Sequence, residues 1–131
     1  MRSLIINGGA EISGNVTIGG NKNAVLPMIA ASILTKEEII MHDVPAISDA
    51  DVMLKIIQHL GAKVTRSGKT VRINAKNITK SEIPKSLCSA LRTSILLAGP
   101  LSVRCGEATI YPPGGDVIGR RRLDSHFYRS E

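Results

Sequence analysis

The sequence predicts an α/β fold, and three observations carry that reading. Short stretches rich in Ile, Val and Thr alternate with longer ones in which apolar residues recur at helical spacing. The two most apolar helical stretches, residues 24–34 and 85–97, are apolar on nearly every face, which requires burial on more than one side. The order strand–helix–strand–helix–strand–strand also starts over at residues 77–79, so the chain reads as one full unit and about two thirds of a second.

Residues 3–7 (SLIIN) form a short strand that Gly8-Gly9 turns. Residues 11–18 alternate through Ile12, Val16 and Ile18 around Gly14-Asn15, the pattern of a hairpin arm. Gly19-Gly20-Asn21-Lys22-Asn23 then opens a helix that runs to Leu34, with Asn21 or Asn23 as N-cap and Pro27 within its first turn. Residues 38–42 (EIIMH) are a strand. Residues 49–60 are an amphipathic helix with Val52, Ile56, Ile57 and Leu60 on one face, Ser48 or Asp49 as cap and Gly61 just past its end. Residues 63–66 and 70–74 make a hairpin across Ser67-Gly68. Residues 85–97 are a single helix with Arg92 at its middle, stopped by Gly99-Pro100. Residues 101–103 and 108–111 are strand candidates, and a last helix starts at Leu123.

With 131 residues, 43% of them hydrophobic, the chain is long enough for one packed core. Aromatics make up only 2%, so that core is aliphatic and the chain lacks the stacking platforms of a single-strand nucleic-acid binder. The net charge of +6 predicts attraction to anions. The cations are scattered except at Arg120, Arg121 and Arg122, which suits a small anionic metabolite as well as a polyanion; no nucleic-acid partner is expected. Cys88 and Cys105 have neither CxxC nor metal-ligand spacing and read as free thiols, so no metal and no cofactor are expected. No uninterrupted apolar block of signal-peptide or membrane-spanning type occurs, and the chain reads as cytoplasmic and reduced, with no membrane partner.

Two stretches are candidates for chemistry. Gly19-Gly20-Asn21-Lys22-Asn23 places a lysine where free N–H groups and the positive end of a helix dipole converge, a ready anion site, although the P-loop spacing is absent. The plainer reading is a capped helix start with a solvated lysine. Residues 112–122 (PPGGDVIGRRR) join two prolines, two glycines, one carboxylate (Asp116) and a cationic run. A flexible tip with one acid and adjacent arginines suits a site that moves a proton on an anionic substrate. The plainer reading here is a solvated Gly/Pro loop.

At Lys22-Asn23-Ala24-Val25-Leu26-Pro27, Leu60-Gly61-Ala62-Lys63-Val64, Leu91-Arg92-Thr93-Ser94 and Pro113-Gly114-Gly115-Asp116-Val117-Ile118-Gly119, the sequence resembles the UDP-N-acetylglucosamine enolpyruvyl transferases, in the family's order and close to its spacing. The resemblance implies an inside-out α/β barrel of two domains built from βαβαββ units around buried helices. The chain would be an incomplete portion of it: residues 1–21 strands that pack with the second domain, residues 22–131 part of the first domain. It implies transfer of the enolpyruvyl group from phosphoenolpyruvate to the 3-hydroxyl of UDP-N-acetylglucosamine, the first committed step of peptidoglycan precursor synthesis, with the remainder of the two-domain enzyme as partner.

The same resemblance assigns the residues. Lys22 and Asn23 match contacts to phosphoenolpyruvate, and Arg92 matches an arginine at the nucleotide-sugar site. Asp116 stands where most members carry a proton-donating loop cysteine, and Arg121 matches the arginine that holds the phosphate. Arg121, Arg122, Leu123, Asp124 and Ser125 cover the uridine-nucleotide stretch, followed by His126. Most members have proline at the position of Arg122 and an aliphatic residue at that of Ser125. Fosfomycin inactivates members through the loop thiolate, so a carboxylate at 116 implies resistance. The alternatives are a 3-phosphoshikimate enolpyruvyl transferase, whose early motif has Ser where this chain has Asn23, and a truncated relative that binds a nucleotide sugar without catalysis.

Overall fold

The computed structural model describes residues 3–114. Its elements are α1 (Lys22–Ala31) with a 3-10 turn Ser32–Leu34, β1 (Glu38–Met41), α2 (Ser48–Leu60), β2 (Lys63–Ser67), β3 (Thr70–Asn74), α3 (Lys85–Ala90), a 3-10 turn Arg92–Leu97, and α4 (Ala98–Cys105). The strands form one antiparallel sheet in the order β1-β3-β2, with Ile73 opposite both Ile39 and Val64. Along β3, Val71 and Ile73 are buried while Arg72 between them is exposed, so one face of the sheet meets the core and the other meets water. The helices pack on one another against the covered face, through Leu26, Ile29 and Ile33 from the first helical segment and Met53, Ile56, Ile57 and Leu60 from α2.

Residues 3–20 form neither of the strands expected there. They carry no regular structure, and their aliphatic side chains face solvent. A lone hairpin is marginal in water, and among the described residues no sheet edge pairs with this one.

α1 starts where expected: Asn21 Oδ1 accepts from the backbone N–H of Asn23 at 2.7 Å and of Ala24 at 3.3 Å. Pro27 lies in the second turn rather than the first, so the helix lacks the bond that residue 27 would have made to the Asn23 carbonyl. α2 begins one residue earlier than expected, and neither Ser48 nor Asp49 caps it. Ile47 holds the N-cap position without a side-chain bond, and Asp49 and Asp51 instead place negative charge in the first turn. Gly61 closes α2 at φ 120°, and a Cβ there would strike the Asn77 carbonyl.

The single helix expected over 85–97 is broken. Leu91 is extended (φ −146°, ψ 121°), separating α3 from the turn Arg92–Leu97. The carbonyl that Arg92 N–H would take in a continuous helix belongs to Cys88, and it accepts from Gly114 N–H at 2.9 Å and from Ser94 Oγ at 3.5 Å. Gly99-Pro100 does not stop a helix but opens α4, because a proline in a first turn lacks only an N–H that would have had no partner. Residues 101–103, expected as strand, are therefore helical. The candidate strand at 108–111 is reduced to a parallel bridge, with Thr109 N–H on Ser81 O at 2.9 Å and Ile83 N–H on Thr109 O at 3.0 Å. The helical stretch from α3 to α4 thus crosses between two parallel segments, the opening of a second unit.

Candidate active site

The candidate residues lie on α1, α2 and the turn Arg92–Leu97. α1 packs against both of the others. Lys22 is the first residue of α1, and the chain reaches it through a tight passage. A Cβ on Gly20 would collide with the Asp43 carbonyl and come within 3.2 Å of Pro45 Cδ, so only glycine lets residues 20–22 lie against the loop between β1 and α2.

A cation at a helix N-terminus faces like charge from the dipole. Here an anion offsets it: Asp49 Oδ2 lies 2.5 Å from Lys22 Nζ. The lysine side chain is 53% exposed and the aspartate 30%, so the pair holds the ammonium at the surface without removing it from solvent. Asn23 follows at an exposed position. Arg92 is the first residue of its turn and half-buried; the extended Leu91 before it directs the chain out of α3.

The root of the PPGG loop is tied down at two points, beside the parallel bridge and at the end of α3. Tyr111 Oη donates to Glu82 Oε1 at 2.7 Å, and that bond with the carboxylate charge raises the phenol above its ordinary pKa of 10.0. Gly114 N–H donates to Cys88 O, and a Cβ at 114 would overlap the Ser89 backbone. The loop therefore leaves from beside the end of α3, a few residues before Arg92.

The structure joins Lys22 to Asp49 at the starts of α1 and α2, packs the turn that Arg92 opens against α1, and sets the root of the loop against the end of α3. Asp116, Arg121, Arg122, Leu123, Asp124 and Ser125 lie outside the described residues. Sequence reasoning missed Asp49 as a partner of Lys22, having read it only as a helix cap. It also missed Arg66, whose guanidinium holds the loop before α2. Among the described residues no group of three or more His, Cys, Asp or Glu could hold a metal, and no helix is long and apolar enough to cross a membrane. Cys88 is buried and Cys105 exposed, both as free thiols.

A family model described as EPSP synthase (3-phosphoshikimate 1-carboxyvinyltransferase) matches residues 6–128. The chain belongs to the EPSP synthase family. Within it, the chain is 49% identical over 128 residues to a UDP-N-acetylglucosamine 1-carboxyvinyltransferase of Borreliella burgdorferi, covering 98% of this chain and 30% of that protein. It is 48% identical over 128 residues to the protein of the same name from Treponema denticola, with 97% and 30% covered. The chain thus spans about 30% of the length of the curated relatives it matches. Among solved structures, the enolpyruvyl transferase NikO from Streptomyces tendae superposes with a TM-score of 0.68 at 26% identity, over 76% of this chain and 23% of that one. The sheet and its helices are a part of that α/β fold, in line with the incomplete barrel expected for this EPSP synthase family member.

Proposed function

We propose that these residues are the N-terminal part of an enzyme that transfers the enolpyruvyl group from phosphoenolpyruvate to the 3-hydroxyl of UDP-N-acetylglucosamine, in the cytoplasm and without metal or cofactor. The observation that supports this reading is the ammonium of Lys22 held by Asp49 at adjoining helix starts. The names of the relatives at 48–49% identity support the nucleotide sugar as acceptor.

In the proposed reaction the sugar hydroxyl gives up its proton as its oxygen attacks C2 of phosphoenolpyruvate and C3 takes a proton; the resulting ketal then loses phosphate from C2 and a proton from C3, which restores the double bond. Lys22 and Arg121 offset charge on the phosphate and carboxylate, where fixed cations act more strongly than water. Asn23 orients the same substrate, while Arg92, Arg122, Leu123, Asp124 and Ser125 hold the nucleotide sugar. Asp116 is the general acid. A free aspartic acid has a pKa of about 3.9 and is ionised at pH 7, so this role requires surroundings that favour its neutral form. Residues 1–21 contact the second domain, and the remaining length of the enzyme completes the site.

The test uses the complete enzyme. Phosphate release from phosphoenolpyruvate should require UDP-N-acetylglucosamine and fall at least about a hundredfold in Lys22→Ala. Release that depends on shikimate 3-phosphate instead would overturn the proposed acceptor, and full activity in Lys22→Ala would overturn the proposed site.

A further inference from the structure

We propose that Arg66 is a positioning residue for Lys22, acting through the loop between β1 and α2. The inference rests on the reading that Lys22 binds phosphoenolpyruvate. Arg66, on β2, uses its guanidinium on four acceptors. Nε donates to Gly68 O at 3.1 Å within its own hairpin, Nη1 to Asp51 Oδ1 at 2.9 Å, and Nη2 to Val44 O and Pro45 O at 3.2 Å each. Two of these acceptors are main-chain carbonyls of the loop, and a third is a side chain from the first turn of α2.

Apart from Arg66, the loop is held by Val44 in the core and by Ile47 packed against it. It enters through Asp43 in the left-handed region at φ 55°, a strained conformation for a residue other than glycine. Ile47 ends it without capping α2. Val44 is buried and its N–H reaches Lys69 O at 2.9 Å, again at the β2–β3 hairpin. The hairpin, through Arg66 and the Lys69 carbonyl, thus holds the loop from one side.

The far side of the same loop carries the start of α1. Gly20 rests on the Asp43 carbonyl and beside Pro45, next to the carbonyls that Arg66 holds. Asp49 and Asp51, two positions apart in the first turn of α2, take one cation each: Asp49 takes Lys22 and Asp51 takes Arg66. A shift of the loop therefore moves both the backbone beneath residues 20–22 and the carboxylate that holds the ammonium. The planar fork of arginine spans separated acceptors in a way that the single nitrogen of lysine cannot.

The test is Arg66→Lys in the complete enzyme, with Arg66→Met beside it. The expected result is a KM for phosphoenolpyruvate raised about tenfold, an unchanged KM for the nucleotide sugar, and a changed rate of Lys22 acylation by an amine-selective reagent, read by mass spectrometry. The acylation rate is read on the folded protein without turnover, and Arg66→Lys, which keeps the charge beside Asp51, keeps the test readable where Arg66→Met does not fold. A lowered melting temperature with both KM values and the Lys22 acylation rate unchanged would overturn the role of Arg66. Lys22→Ala separates the two readings. Full activity in that variant removes Lys22 from the site whatever Arg66 does. Lost activity in Lys22→Ala, with an unchanged KM for phosphoenolpyruvate in the Arg66 variants, overturns Arg66 alone.

Discussion

Lys22 and Asp116 meet the same problem from opposite sides. An ammonium at a helix start meets the like charge of the dipole, and Asp49 beside it offsets that charge. A carboxyl that donates a proton has to be neutral when it acts. In the proposed mechanism, aspartate in place of the loop cysteine keeps a group able to transfer a proton but gives up a strong, soft nucleophile. In the complete enzyme, Asp116→Asn should therefore lose turnover and keep substrate binding, because an amide has no proton to exchange at these pH values. The parent should resist fosfomycin, and Asp116→Cys should remain active while gaining a covalent drug adduct on the new thiol. Alkylation of the parent by the drug, or full activity in Asp116→Asn, would remove Asp116 from the role of acid.

At the scale of elements, what was legible in the sequence was what neighbours in the chain decide. The β2–β3 hairpin, the amphipathic helix α2 and an asparagine cap on α1 all follow from local pattern; the hairpin turns at Gly68-Lys69 rather than Ser67-Gly68, with Ser67 paired to Thr70, and of the two asparagines Asn21 is the cap. The break at Leu91 did not follow, because its cause lies elsewhere: Gly114 brings its N–H to the Cys88 carbonyl from the far end of α4 and the segment after it. The Asp49 and Arg66 contacts were hidden for the same reason, since only the folded chain brings the hairpin and two helix starts to one loop. Even the glycines of the PPGG stretch, read as freedom to turn, include one required by close approach. Gly114→Ala should force the end of α3 and the loop root apart at a cost of about 1–3 kcal/mol, an overpacking penalty. A denaturant titration of the complete enzyme reads this directly. A midpoint unchanged from the parent would mean that the contact with Ser89 relaxes freely.

At the scale of the molecule, the described residues divide into a packed core and an unpartnered strip. Leu4, Ile5, Ile6, Ile12, Val16 and Ile18 are 80–96% exposed, while the core from α1 to α4 buries its aliphatic residues almost completely. Burying an aliphatic side chain is worth about 1.5–3 kcal/mol, so the strip leaves roughly 10 kcal/mol of burial unused, comparable to the whole stability of a domain. An apolar strip without a partner is the kind of surface that associates with another copy. The net charge of +6 opposes association, but at physiological ionic strength the Debye length is about 8 Å and the repulsion is largely screened. The 131-residue chain by itself should therefore associate, with a weight-average mass in sedimentation that rises with concentration and falls again when residues 3–19 are deleted. The deleted form should keep a cooperative melt, because none of the removed residues belongs to the core. The same chain should release no phosphate from phosphoenolpyruvate and UDP-N-acetylglucosamine, since the proposed site needs groups from the remaining length of the enzyme. A chain that stays monomeric at every concentration would show that the strip finds cover within the molecule, and turnover by the chain alone would show that the site is complete without the rest.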